Sequence, residues 1–139
     1  MFNPDLSLEA LNAFSADTLA SHLGIEFTEI GPDFMTARMP VDSRTVQPFR
    51  QLHGGASVSL AESLGSVASF ALIDSAKQVA VGLEINANHL RSVRSGYVHA
   101  TARPLHIGRR THVWDIRIVD DAERLVCVCR LTMAVVDRE

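Results

Sequence analysis

The chain has 139 residues, a formal net charge of −3 and 47% hydrophobic residues. A chain of about 150 residues buries roughly two-thirds of its unfolded surface, so this length predicts a single domain, residues 1–139, with a substantial core. The sequence has no apolar run of about 18 residues and no basic-then-apolar N-terminus, which predicts a cytoplasmic protein without a membrane anchor. Its acidic charge and low aromatic content of 6% argue against nucleic-acid binding.

Positive charge is concentrated in residues 91–112. This segment contains three histidines, no acidic residue and five arginines, namely Arg91, Arg94, Arg103, Arg109 and Arg110. Arginine makes bidentate contacts with phosphate, so the segment indicates a ligand that carries phosphate groups. The alternative is that these arginines pair with carboxylates elsewhere in the chain, and the sequence alone leaves both interpretations open.

The first part of the chain predicts one helix and two strands. Apolar residues recur at helical spacing over residues 7–23, with Ser7 as the N-cap and Gly24 as the stop. Residues 25–30 and 34–39 predict short strands joined by a Gly-Pro-Asp turn. A polar loop follows the second strand.

One long helix is predicted in the middle of the chain. Residues 55–73 are rich in Ala, Gly and Ser and are apolar on most sides, which is typical of a buried helix packed closely against a sheet. Four long strands follow, at residues 78–90, 97–107, 111–119 and 125–136. This order of elements predicts an α+β fold in which a curved antiparallel sheet wraps round the central helix.

Two cysteines lie in the last predicted strand. Cys127 and Cys129 are two residues apart, so on a strand both side chains point the same way, and a bridge between them is disfavoured. No CxxC or HxxxH pattern accompanies them. We therefore interpret both as small core residues, with a metal pair as the weaker alternative.

The stretch from Gln47 to Ser66 contains the groups that acyl transfer requires. Gly54 and Gly55 leave backbone N–H groups bare at a helix start, where the helix dipole favours a developing oxyanion. Glu62 lies two turns further along among apolar residues, and a carboxylate kept from water is a better base or nucleophile. Helical spacing places a serine on either side of this acid.

Other catalytic patterns are absent from the sequence. His53 with the two following glycines superficially matches an esterase oxyanion loop, but no Gly-x-Ser-x-Gly elbow supplies the nucleophile. The six histidines form no His-Glu-x-x-His pair, and neither a G-x-G-x-x-G nor a Walker A loop occurs. The sequence therefore predicts no metal and no cofactor. What remains is a carboxylate, a glycine-rich helix start and the polar side chains of Gln47 and His53.

Six strings in fixed order resemble the hotdog-fold acyl-CoA thioesterases. They are MPVDSRT at 39–45, QPF at 47–49, LHGGAS at 52–57, LAE at 60–62, GS at 65–66 and GLEINANH at 82–89. Within this family the sequence is most similar to the 1,4-dihydroxy-2-naphthoyl-CoA hydrolases and the enterobactin-synthase proofreading thioesterase. The resemblance implies a hotdog fold and hydrolysis of acyl-CoA with an aromatic or otherwise bulky acyl group, as in menaquinone biosynthesis.

The resemblance also implies an assembly and catalytic roles. It implies a homodimer with shared active sites, usually doubled into a homotetramer, with acyl-CoA as substrate and acyl carrier protein as an alternative carrier. Glu62 matches the catalytic carboxylate, which reaches across to the His53 and Gly54 side of the partner. Gly54 matches the N–H donor to the thioester oxygen, and Gln47 and His53 match the groups that orient the thioester. Ser66 matches the residue beside the attacking water or intermediate.

The coenzyme A contacts that the resemblance implies fall in three parts of the chain. They match Gly82, His89, Leu90, Arg91, Ser92, His106, Ile107, Gly108, Arg109, Arg110 and Thr111. Most of these positions lie in the basic segment of residues 91–112, which charge alone identifies. Both lines of reasoning therefore indicate the same residues.

Two other functions compete with hydrolysis. A hotdog hydratase acting on enoyl thioesters would use a similar helix but a different pattern of His and Asp. A non-catalytic acyl-CoA-binding module would keep the arginines but has no need for an acid on a buried helix. The hydratase pattern is not found in this sequence, and a binding module does not account for Glu62, so the sequence favours thioester hydrolysis.

Overall fold

The computed structural model describes all residues from Met1 to Glu139 and has an α+β architecture. Its elements are α1 Leu8–Phe14, α2 Leu19–His22, β1 Glu26–Ile30, β2 Met35–Pro40, α3 Gly54–Phe70, β3 Gln78–His89, β4 Tyr97–Ile107, β5 Thr111–Asp120 and β6 Leu125–Asp137. This order confirms the predicted arrangement of one long helix and four long strands. None of the helices has the length and apolar content needed to cross a bilayer.

The six strands form one antiparallel sheet in the order β1-β2-β4-β5-β6-β3. The four long strands begin and end within one residue of their predicted limits. β3 is 12 residues long and forms one edge of the sheet, and its side chains Val81 and Leu83 are exposed. An exposed apolar edge of this length is a ready template for pairing with another strand.

The long helix α3 packs against the sheet through small and apolar side chains. Leu60 and Leu64 are fully buried, and each such side chain contributes about 1.5–3 kcal/mol by leaving water. Gly65 allows close approach, because a β-carbon there would lie 2.5 Å from Cδ2 of Leu131. The helix ends three residues earlier than predicted, since the N–H of Leu72 bonds to Ser69 in a tighter turn.

The predicted N-terminal helix is wrong in its continuity. Ser7 does cap its start by accepting from the N–H of Ala10, and Gly24 does end the segment with a φ of +76°. Between them the chain breaks after Phe14, where Asp17 takes a φ of 59°, and resumes as the short α2. Left-handed φ values interrupt a helix, so residues 7–23 form two short helices instead of one.

A buried polar cluster ties the end of α3 to β5. The indole N–H of Trp114 donates to the Ser69 hydroxyl at 2.8 Å, and that hydroxyl lies 2.9 Å from Nδ1 of His112. Ser69 accepts from Trp114, and the direction of its second hydrogen bond, with Nδ1 of His112, depends on the tautomer of the imidazole. Burial lowers the pKa of His112 below its ordinary value of 6.5.

The structure confirms that Cys127 and Cys129 are core residues. Both are buried and unbridged on β6, and their Sγ atoms lie 3.5 Å apart on the same side of the strand. Cys127 also contacts Nδ1 of His89 at 3.6 Å. No group of three or more His, Cys, Asp or Glu side chains is placed to hold a metal ion.

Candidate active site

The loop before α3 is held in place by backbone hydrogen bonds. The N–H of His53 donates to Thr45 at 2.8 Å, and the N–H of Leu52 donates to Val93 at 2.7 Å. The Gln47 side-chain oxygen accepts from the N–H of Phe49. This bond uses one lone pair of the Gln47 oxygen, and the amide N–H groups of the same side chain bond to no group of the chain, so they can meet a ligand.

The start of α3 offers one bare donor instead of the two predicted. His53 is the N-cap, and its Nδ1 accepts from the N–H of Gly55 at 2.8 Å, which occupies that donor. The N–H of Gly54 donates to no group of the chain. Since Nδ1 of His53 accepts, the neutral ring carries its proton on Nε2, and this second donor is exposed.

Glu62 faces an open groove of about 390 Å³ between α3 and the N-terminal helices. The groove is lined by Phe14, Ser15, Thr18, Leu19, Ala20, Phe27, Ser59, Glu62, Ser63, Ser66 and Val67. Glu62 is half-buried where the sequence predicts a buried position, because it lines this groove. Its carboxylate makes no hydrogen bond or ion pair within the chain, so it is available to a ligand.

Ser59 and Ser66, the two serines predicted to flank Glu62, line the same groove, but neither forms a hydrogen bond with the Glu62 carboxylate. The Ser59 hydroxyl donates to the carbonyl of Gly55 at 2.9 Å, and the Ser66 hydroxyl lies 3.7 Å from the sulfur of Met133. Ser59 is therefore engaged by its own helix. Ser66 keeps most of its hydrogen-bonding capacity, since a thioether sulfur is a weak acceptor.

Gly82 on β3 makes room for the Glu62 carboxylate. A β-carbon at Gly82 would lie 2.6 Å from Oε2 of Glu62, closer than two such atoms can approach. Gly82 pairs with Met133 of β6, so this contact lies on the edge strand of the sheet, near the middle of its length. The missing side chain at Gly82 thus leaves the space that Oε2 of Glu62 occupies.

A second groove, of about 410 Å³, lies at the start of α3. It is lined by Gln47, Gln51, Leu52, Gly54, Ser57, His89, Leu90, Arg91, Ser92 and Val126. The structure thus brings together the predicted thioester-orienting Gln47, the donor Gly54 and the predicted coenzyme A contacts at residues 89–92. His53 stands beside this groove as the cap of the helix.

Within one chain, the predicted site is divided into two halves. Gly54 and Glu62 are eight residues apart on α3, about 12 Å at a rise of ~1.5 Å per residue, and they line different grooves. His89 pairs with Cys127 on β6, whereas Thr111 pairs with Ala134. The predicted contacts at 106–111 are therefore about 23 Å along β6 from those at 89–92.

The arginines of the basic segment separate into two groups. Arg103 lies 3.7 Å from a carboxylate oxygen of Asp33, and Arg110 lies 3.4 Å from one of Asp137. Arg94 donates to a backbone carbonyl. Arg91 and Arg109 have neither an ion pair nor a hydrogen bond within the chain. The alternative of internal pairing thus holds for Arg103 and Arg110, and phosphate binding stays a prediction for Arg91 and Arg109.

Several groove residues were not predicted from the sequence. Ser63 could have been found, because it lies four residues after Ser59 and so shares its helix face. Phe14 and Leu19 could not, because α1 and α2 reach the groove only through the break between them and the packing of the chain. Local sequence carries no signal for such a contact.

Comparison with known proteins identifies the family. Residues 50–127 match the Thioesterase superfamily. The chain belongs to this family. The match covers the second groove except Gln47, α3 with Glu62, and β3 to β5, which are the parts that contain most of the predicted site.

Relatives along nearly the whole chain agree. The 1,4-dihydroxy-2-naphthoyl-CoA hydrolase of Escherichia coli is 55% identical over 130 residues, which cover 94% of this chain and 95% of that protein. The crystal structure of a mutant thioesterase from Pseudomonas aeruginosa has a TM-score of 0.96 and 53% identity, and covers 99% of both chains. These likenesses confirm the predicted hotdog fold, and the chain is an acyl-CoA thioesterase.

A Staphylococcus aureus thioesterase provides a more distant comparison. It was solved once with a glutamate and once with a glutamine replaced by alanine. The two structures have TM-scores of 0.84 and 0.82 at 42% identity, and cover 86% and 84% of this chain and 99% and 97% of theirs.

Proposed function

We propose that this thioesterase hydrolyses CoA thioesters of aromatic or otherwise bulky acids, with Glu62 as the base or nucleophile and without a cofactor. The observation that carries the proposal is the unpaired Glu62 carboxylate, which faces a groove and is located by the space at Gly82. A half-buried carboxylate with no internal partner adds nothing to stability, so we interpret its position beside the groove as a chemical role.

The reaction needs few groups. In one route Glu62 takes a proton from water, whose oxygen attacks the thioester carbonyl; the C–S bond then breaks, and the thiolate leaves and is protonated. In the other, a carboxylate oxygen of Glu62 attacks, releases the thiolate and forms an anhydride that water cleaves. In both, the carbonyl oxygen becomes an oxyanion to which the bare N–H of Gly54 can donate a hydrogen bond, and one such donor contributes about 3 kcal/mol.

The proposed active site is shared between two chains. Gly54 and Glu62 of one chain are too far apart to act on one carbonyl carbon, whereas two chains related by a two-fold axis can bring one Glu62 to the other Gly54. The exposed edge strand β3 offers the surface for such pairing. The same pairing would bring the two sets of coenzyme A contacts, 89–92 and 106–111, from different chains to one substrate. A homodimer follows from this proposal, and its doubling into a homotetramer stays a prediction from the family resemblance.

Coenzyme A is the carrier that the charges favour. Arg91 lies in the second groove beside His89 and Ser92, and Arg109 lies in the β4–β5 turn. Both guanidinium groups are unpaired, so each can meet a phosphate without breaking an internal ion pair. Acyl carrier protein, whose phosphopantetheine lacks the nucleotide, stays an alternative carrier.

The relatives support the catalytic assignment and the acyl class. The glutamate and the glutamine replaced in the Staphylococcus aureus thioesterase are separated by the same number of residues as Gln47 and Glu62. The Escherichia coli relative acts on 1,4-dihydroxy-2-naphthoyl-CoA, a bicyclic aromatic thioester. We therefore propose a substrate of this kind, a role in menaquinone biosynthesis and a cytoplasmic location.

The test is the variant Glu62→Gln, which keeps the shape of the side chain and removes the base. We expect release of the CoA thiol to fall by about a hundredfold or more, while Glu9→Gln, on the exposed face of α1, retains wild-type turnover. Following the thiol directly separates hydrolysis from hydration of an enoyl thioester and from binding alone. Wild-type turnover in a folded Glu62→Gln protein would refute the proposal.

A further inference from the structure

The groove that contains Glu62 has two walls of different chemistry. One wall is α3, which contributes the serines and Glu62. The other is formed by α1 and α2, which contribute Phe14 and Leu19. These two side chains are 61% and 62% exposed, although the helices that carry them are anchored on the core through Leu11 and Ala20. Large apolar groups left exposed inside a groove indicate an apolar occupant.

The wall formed by α1 and α2 is rigidly placed. The side chain of Asn12 donates to the carbonyl of Phe27 at 3.1 Å and accepts from its N–H at 2.8 Å, which fixes α1 across β1. The ring of Phe14 stacks on that of Phe70, with centroids 5.2 Å apart and an angle of 13° between the planes. Phe14 therefore meets the groove in one orientation, as part of an aromatic pair anchored at the end of α3.

The break in the N-terminal segment brings the second apolar side chain to the same wall. The Thr18 hydroxyl donates to the carbonyl of Ser15 at 2.6 Å and closes the turn, so that Leu19 begins a new helix on the same groove. Across the groove, the Ser63 hydroxyl bonds to no group of the chain. A flat ring with polar substituents matches these two walls, apolar on one face and hydroxyl-lined on the other.

We propose that Phe14 and Leu19 are specificity-determining residues, which select a planar aromatic acyl group over a flexible alkyl chain. The inference rests on the proposed function, because it places the acyl group of the substrate in the groove beside Glu62. A planar ring packs against the fixed face or edge of Phe14 with little loss of internal freedom. An alkyl chain gains less from that contact, because it must freeze several torsions to lie along the same wall. The volume of about 390 Å³ lies within the usual range for small-molecule sites.

The experiment compares benzoyl-CoA with hexanoyl-CoA in the full-length protein. We expect Phe14→Ala to lower kcat/KM for benzoyl-CoA about tenfold and to change that for hexanoyl-CoA by less than about twofold. Phe14→Leu keeps apolar bulk but removes the plane, and we expect it to lose most of the same preference. Leu19→Ala should lower kcat/KM for benzoyl-CoA by about threefold to tenfold. Far-UV circular dichroism and thermal melting check that each variant is folded.

The possible outcomes separate this inference from the proposed function. A parallel fall for both substrates, or no change in their ratio in Phe14→Ala and Leu19→Ala, would overturn the inference. If Phe14→Ala fails to fold, Phe14→Leu and Leu19→Ala still decide it by the same ratio. Glu62→Gln is assayed with both substrates alongside. Suppose that Glu62→Gln loses turnover while the Phe14 and Leu19 variants keep the wild-type ratio of kcat/KM for benzoyl-CoA to that for hexanoyl-CoA. This result would support the proposed function and reject only the role of Phe14 and Leu19 in specificity.

Discussion

Replacing Gly82 by alanine tests the geometry of the proposed catalytic carboxylate directly. The added β-carbon would lie 2.6 Å from Oε2 of Glu62, whereas ordinary contacts between such atoms begin at 3.4 Å. The carboxylate must therefore move by about 0.8 Å or rotate away. Glu62 is half-buried beside an open groove, so it can do so without disturbing the core.

The expected effect falls on catalysis more than on stability. A displacement of a reacting group by about 1 Å costs on the order of a hundredfold in rate, and we expect kcat of Gly82→Ala to fall by about that factor. The nearest protein atoms besides Glu62 are at ordinary distances, the closest being the sulfur of Met133 at 3.9 Å. The midpoint of thermal unfolding should therefore stay within a few degrees of the wild type.

A double-mutant cycle decides whether Gly82 acts through Glu62. If alanine at this position only displaces the carboxylate, then adding it to Glu62→Gln should lower kcat by less than about threefold further. If it instead blocks the substrate, the two losses should multiply. Multiplying losses, or wild-type kcat in folded Gly82→Ala, would refute the reasoning that this glycine exists to place Glu62.

Three further predictions concern phosphates, assembly and pH. Arg91→Ala and Arg109→Ala should each raise KM for acyl-CoA about tenfold with a smaller change in kcat and barely affect an acyl-pantetheine; equal damage to both substrates would contradict phosphate binding. Mixing inactive Glu62→Gln and His53→Ala chains should restore about a quarter of wild-type activity, since half of the randomly exchanged dimers have one intact site; no recovery despite proven exchange would mean that each chain holds a complete site. Burial holds the pKa of His112 in the folded protein below 6.5, so as the pH falls the unfolded chain binds a proton at this residue first. The stability that neutral His112 gives the fold is therefore present above pH 6.5 and is lost as the pH falls below it. The free energy of unfolding by urea should therefore fall more between about pH 7 and about pH 5 in the wild type than in His112→Asn, and equal slopes would contradict the assignment.

The sheet could be predicted because its signals are local. Alternating apolar residues and turns mark each long strand, and their limits follow to within one residue. The prediction of one continuous N-terminal helix failed because the sequence carries no local signal for the break at Asp17. Its apolar positions keep helical spacing through the break, although only Leu11 and Ala20 are buried on the core and Phe14 and Leu19 stay exposed.

The site could be predicted as residue types but not as contacts. Gly54 and Gly55 are equivalent donors in sequence, and only the structure shows that Nδ1 of His53 occupies the second one. The relation of Gly82 to Glu62 joins positions on a helix and a strand. No periodicity within either element reports a contact that the fold alone creates.

One property of α3 links these observations. A donor at its first residue and an acid two turns later cannot meet over one carbonyl carbon, because the helix holds them about 12 Å apart. Both groups can nevertheless act if α3 of a second chain runs beside the first in the opposite direction. Glu62 of each chain then faces Gly54 of the other. The same geometry leaves each acid facing its own Phe14 and Leu19. The acyl group would therefore be selected by the chain that supplies Glu62, and the thioester oxygen held by the chain that supplies Gly54. A hybrid dimer that carries Phe14→Ala on the Glu62→Gln chain should accordingly keep the wild-type preference at its one intact site, whereas Phe14→Ala on the His53→Ala chain should lose it.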